Sequence, residues 1–252
     1  MKRYLALVAL LLAVTAAAPA QETTGARVVV PSSNTSRARV IKVTTVNAAI
    51  TVRTHSGTDV IVETEGGRNR RLPDRTPDGL HRIDLPRDVS VSEDGDVINV
   101  RGPVNSGPIV LTVPMNTSVQ LKSVGGSIRV DGVHGEVDAS TTNARIEVMN
   151  ISGTIVADTT NGSITASMDQ VDPSKPISFS SVNGSIHVTL PADLKANVKL
   201  RTLNGSAWSD FEMRMNGGLN MPRGGTMTGT INGGGVEASF STLNGRIEIR
   251  KK

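Results

Sequence analysis

The sequence predicts an all-β chain of repetitive stacked strands, β-solenoid or β-helix-like, preceded by a less regular β region. Three observations predict this class. A hexad recurs as "TTNARI" (141–146), "TTNGSI" (159–164), "SVNGSI" (181–186), "TLNGSA" (202–207) and "TLNGRI" (242–247). After most copies apolar and polar residues alternate, which is the period of a strand and not of a helix. Aromatic residues make up only 2% of the chain, so stacked aliphatic side chains are left to fill its interior.

The elements follow in chain order. Lys2 and Arg3 precede an apolar run from Leu5 to Ala18, and Ala18-Pro19-Ala20 supplies small residues. Residues 1–20 are therefore expected to be a secretory signal peptide, too short in their apolar part for a membrane span. No later segment is apolar enough to cross a bilayer as a helix. The chain is then exported, to the periplasm or the cell surface, and without cysteine it relies on packing and hydrogen bonds. The formal net charge of +4 includes Lys2 and Arg3. What remains is too weakly basic to argue for nucleic acid.

Residues 21–118 form the less regular β region. "VNAAITVRTHSG" (46–57) is a worn copy of the repeat, "DVSVSEDGDVINVRG" (88–102) a hairpin around Asp94-Gly95, and "PIVLTVP" (108–114) a fully buried strand. Between them lies an Arg/Pro-rich loop at 66–80. Its Arg68, Arg70, Arg71 and Arg75 could touch an anionic lipid or polysaccharide, although such a loop is more often merely solvated.

Residues 119–252 carry the repeats, continuous with what precedes them. Each reads as strand, Gly turn, strand, Asn-Gly turn. Gly126, Ala144, Gly162, Gly184, Gly205 and Gly245 mark steps of 18, 18, 22, 21 and 40 residues. The last step is about two repeats long, so one repeat is distorted or carries an insertion, with the glycine-rich 213–235 as the candidate. Two short strands cannot bury a face alone, but stacked copies at the ~4.8 Å spacing of paired strands can. Ile128, Ile146, Ile164, Ile186 and Ile247 are the expected core stack, and Arg129, Glu147, Thr165 and His187 an outward row.

The hexad is either a chemical site shown many times or a corner turned many times. Glycine after Asn reaches positive φ cheaply, as at Gly162, Gly184, Gly205 and Gly245. Asn143, Asn161, Asn183, Asn204 and Asn244 can bond to one another as a ladder, each bond contributing roughly 1 kcal/mol. Serine is replaced by Arg145 and Arg246 in two copies. A binding site would not trade serine for arginine so freely, so the hexad is read as a corner.

Nothing points to catalysis, a cofactor or a metal. His55, His81, His134 and His187 share no ligand spacing. Asp131, His134, Glu136 and Asp138 form the best local cluster, a conceivable metal or acid/base face. A solvated outer strand face is the better explanation, since outward strand positions here are polar throughout. No nucleophile elbow, phosphate-cradling loop or metalloprotease helix motif is present.

The segments "TVNAAITV" (45–52), "EDGDVINVRG" (93–102), "IVLTVP" (109–114), "LKSVGGSIRVDGVHGEVDASTTNARIEV" (121–148) and "GTINGGGVEASFSTLNGRIEIRKK" (229–252) resemble the bacterial "putative adhesin" family of β-strand-repeat domains of unknown function. The insert at 66–80 departs from that pattern. The resemblance implies an exported, non-catalytic scaffold at the cell envelope, structural or adhesin-like. Its expected partner is an envelope protein or polysaccharide, and self-association is open to it. Some relatives are similar to regulators of envelope stress, so a stress sensor is the alternative, with a polysaccharide-active β-helix enzyme behind it.

Overall fold

The computed structural model describes residues 26–31, 39–64, 89–104, 106–216 and 226–252. The proposed leader at 1–20 and the loop at 66–80, with Arg68, Arg70, Arg71 and Arg75, lie outside the described residues. The strands, numbered in chain order, form two ladders. In the first, β5 (Ser90–Asp94), β6 (Val97–Arg101), β2 (Arg39–Thr44), β8 (Thr117–Lys122) and β10 (His134–Thr141) lie side by side. The second half of β11 (Ile146–Asn161) follows, then β13 (Ile177–Asn183), β19 (Val236–Asn244), β15 (Ala196–Asn204), β18 (Thr226–Ile231) and β17 (Arg214–Asn216).

The second ladder runs β1 (Ala26–Val30), β4 (Val60–Thr64), β7 (Ile109–Pro114), β3 (Ile50–His55) and β9 (Ile128–Asp131). It continues through the first half of β11 to β12 (Ile164–Val171), β14 (Ile186–Leu190), β20 (Ile247–Lys251) and β16 (Ala207–Ser209). Strands in the middle of both ladders are parallel, and antiparallel strands cap three of the four ladder ends. No helix occurs among the described residues.

Each rung is a strand of the first ladder, a corner, and a strand of the second. Alternation puts one apolar row per strand face into a shared core. Ile109, Ile50, Ile128, Ile146, Ile164, Ile186 and Ile247 stack in register down one wall, each at most 1% exposed. Each isoleucine meets the same shape above and below, so one packing solution serves every rung.

Three expectations about the interior change. The strand at 108–114 is not buried on both faces: Ile109, Leu111 and Val113 point inward, and Val110 and Thr112 are half-exposed. The core is not purely aliphatic, because Phe179 and Phe240 are fully buried and stack at 5.4 Å with planes 14° apart. They fill the room left where Ala139 and Ala157 hold the same row.

The third concerns the 40-residue step. The rungs do not stack in chain order. β19 lies between β13 and β15, and β20 between β14 and β16, so the last rung of the chain sits one place inside the end. The stretch taken as an insertion supplies β17 and β18, which cap β15. Asn232, Gly233 and Gly234 then carry the chain from one side of β15 to the other, all three at positive φ. Asn232 Nδ2 fastens this crossing to the carbonyls of Ala192 and Leu194. The opposite end repeats the device: β6 and β7 stack outside β2 and β3, which come earlier in the chain.

Candidate interaction surface

The corner edge is built from the hexad, position by position. The first residue is always Thr or Ser: Thr141, Thr159, Ser181 and Thr242 are each at most 6% exposed, and Thr202, in the terminal corner, is partly exposed. Its hydroxyl donates to the carbonyl of the third-following corner residue one rung away, Thr159 to Ala144 at 3.0 Å, Ser181 to Gly162 at 3.0 Å and Thr242 to Gly184 at 2.9 Å. These carbonyls lie in the corner, outside the strand ladders, and the hydroxyl gives each part-buried acceptor a partner. Sequence reasoning assigned this position no role, although its unbroken Thr/Ser identity across the copies was the available signal.

The third residue forms an amide chain. Asn161 Nδ2 donates to Asn143 Oδ1 at 2.9 Å, Asn183 to Asn161 at 2.9 Å, Asn244 to Asn183 at 2.6 Å and Asn204 to Asn244 at 2.8 Å. The glycine after it does not work as expected. Gly162, Gly184, Gly205 and Gly245 are absent from the positive-φ positions of the backbone. Their role is close approach: a Cβ on Gly184 would lie 1.8 Å from the Gly162 carbonyl oxygen, and one on Gly205 1.8 Å from that of Gly245. The missing side chain lets one corner rest on the next.

The second residue points to solvent and carries the surface chemistry of the edge. In spatial order it is Val46, Val124, Thr142, Thr160, Val182, Leu243 and Leu203, with Val104 of the neighbouring corner beyond Val46. The six aliphatic members are between 36% and 49% exposed. Outside this edge, only Val28, Val29, Met115 and Trp208 are exposed large apolar side chains among the described residues.

Beside the corner, the outer face of the second ladder holds a polar row. Arg129, Glu147, Thr165, His187, Glu248 and Trp208 are successive register partners. Arg129 pairs with Glu147 at 3.2 Å. Glu248, its side chain only 16% exposed, accepts from Arg246 at 3.0 Å, His187 Nδ1 at 3.1 Å and Arg250 at 3.3 Å. The Arg246 and His187 hydrogen bonds hold its carboxyl below the usual range. On the first ladder, burial and then the charge of Asp138 raise the Asp158 carboxyl.

The Asp131, His134, Glu136, Asp138 cluster disperses on the surface. Asp131 accepts from Asn150 Nδ2 at 2.8 Å and Glu136 pairs with Lys175 at 3.1 Å. Among the described residues no group of three or more His, Cys, Asp or Glu side chains is placed to hold a metal. No helix among them is long and apolar enough to cross a membrane.

The model of the Toastrack DUF4097 family matches residues 21–250. The chain belongs to the Toastrack family. Its domain is one of unknown function, with a β-solenoid-like fold, in keeping with the β-repeat resemblance carried by segments such as 121–148 and 229–252. No curated protein matches this Toastrack chain. Among solved structures it is similar to a "putative cell adhesion protein" from Clostridium sporogenes, with a TM-score of 0.48 and 7% identity over 90% of this chain and 100% of that one. Nothing in this Toastrack domain or its matches points to catalysis.

Proposed function

We propose that this Toastrack domain is an exported, non-catalytic interaction scaffold that holds a partner at the bacterial cell envelope. The observation that carries the reading is the corner edge. Val104, Val46 and Val124 form one group on a single line and Val182, Leu243 and Leu203 a second, separated by Thr142 and Thr160, and the amide chain runs beneath the second group. Threonine fills the same position at 142 and 160, so the fold does not require an aliphatic side chain there. Export is supported by the leader-like residues 1–20.

Covering the exposed part of each such side chain is worth roughly 1 kcal/mol. The total is comparable to the entropy cost of association, so a single domain binds weakly and attachment gains from repetition in the partner. The test is Val182→Thr with Leu203→Thr and Leu243→Thr, which installs the residue native to neighbouring corners. Sedimentation of the purified protein with isolated cell-wall sacculi and with envelope vesicles should fall at least about fivefold in the variant at unchanged melting temperature. Equal sedimentation of both proteins, or none by the wild type, would remove the reading.

A further inference from the structure

The outer face of the second ladder holds a feature that the corner edge does not explain. Thr165, Ser167, His187, Thr189, Glu248 and Arg250, together with the apolar Met149, Ala166 and Val188, line a shallow depression of about 260 Å³. Trp208, the one tryptophan of the chain, stands on the neighbouring strand directly opposite Glu248. The residue is 63% exposed. The indole N–H donates to Ser206 Oγ at 2.9 Å, which fixes the ring without covering it. An exposed, oriented indole on the strand next to this hollow stands out in an outer row that is otherwise polar or charged.

We propose that this depression binds a carboxylated sugar, a uronic-acid unit of an acidic polysaccharide, with Trp208 as the stacking platform and Arg250 as the carboxylate anchor. The parts divide the work by chemistry. The indole face takes the C–H face of a pyranose ring. Arg250 and Arg246 each spend one of five donors on Glu248 as described, leaving the guanidinium fork free to meet a carboxylate in two-point contact. Both guanidinium groups are more than half exposed, so a ligand reaches them. Glu248 does not repel the ligand, because two arginines outweigh its charge, and its bonds hold both in place. Thr165, Ser167 and Thr189 are among the lining residues and carry hydroxyls suited to those of a sugar.

The site is separate from the corner edge, and either can fail without the other. Trp208 supplies the readout, since it is the one tryptophan of the chain and stands on the strand next to this hollow. Titration with trigalacturonate should change it with a dissociation constant on the order of 1 mM, a normal strength for a shallow single site. Neutral galactotriose and inorganic phosphate at the same concentrations should leave it unchanged. Arg250→Ala should weaken the trigalacturonate response at least about tenfold, and Arg250→Lys nearly as much, because an ammonium lacks the fork. Trp208→Ala, followed by calorimetry, should abolish binding while melting normally. The triple threonine edge variant should bind as wild type. No response to trigalacturonate, an equal response to galactotriose or phosphate, or an undiminished response in Arg250→Ala overturns the proposal.

Discussion

Asn244 donates its side-chain amide to Asn183 Oδ1 at 2.6 Å across 61 residues of chain, while Asn204 bonds to Asn244 and not to Asn183. The C-terminal rung is therefore inserted into the stack, not appended to it. Both of its strands are paired on both sides. The true end of the second ladder is β16, three residues long and paired only with β20.

Hydrogen exchange should reflect that order. Chain termini normally fray, but the amides of β19 and β20 should exchange as slowly as those of central β11. They should be at least about a hundredfold slower than those of β16, because opening them means parting two neighbours at once. Fast exchange over Val236–Ile249 would contradict the inserted rung.

The corner glycines separate close approach from backbone freedom. Gly184→Ala should cost about 2–3 kcal/mol in chemical denaturation, since its Cβ would meet the Gly162 carbonyl oxygen at 1.8 Å and backbone on both sides must shift. Ala144 shows that one corner can house a methyl, which keeps the loss short of complete unfolding. Gly233→Ala faces open space at φ 88° and should cost only the left-handed strain, about 1–2 kcal/mol. Equal costs at the two sites would return the corner glycines to a conformational role.

The two adjacent hydroxyl positions of the hexad should behave oppositely. Thr242→Val removes the donor to the Gly184 carbonyl in a 2% exposed site and should destabilise by about 1–2 kcal/mol. Thr160→Val places at the exposed second position the residue native at 182, and should change stability by less than about 0.5 kcal/mol. Melting curves of the two variants decide the matter. Coincident curves would mean that the buried hydroxyl ladder contributes nothing.

What the sequence determined by itself is local. Alternation after each hexad assigns Ile128, Ile146, Ile164, Ile186 and Ile247 to one face, and the recurring Asn identifies the corner, because side-chain direction in a strand depends only on parity. The rungs' order was not legible. "TLNGSA" and "TLNGRI" fit either neighbour equally well, and parallel strands carry no turn that would fix which copies meet. The corner glycine was misassigned for the same reason: the chain shows that a side chain is missing, and only the stacked neighbour shows what it would have struck. His187, Glu248 and Trp208 belong to three separate repeats, and the inserted rung decides that Glu248 stands between the other two. Local periodicity wrote the rung, and the long-range crossing at Asn232–Gly234 decided which rungs touch.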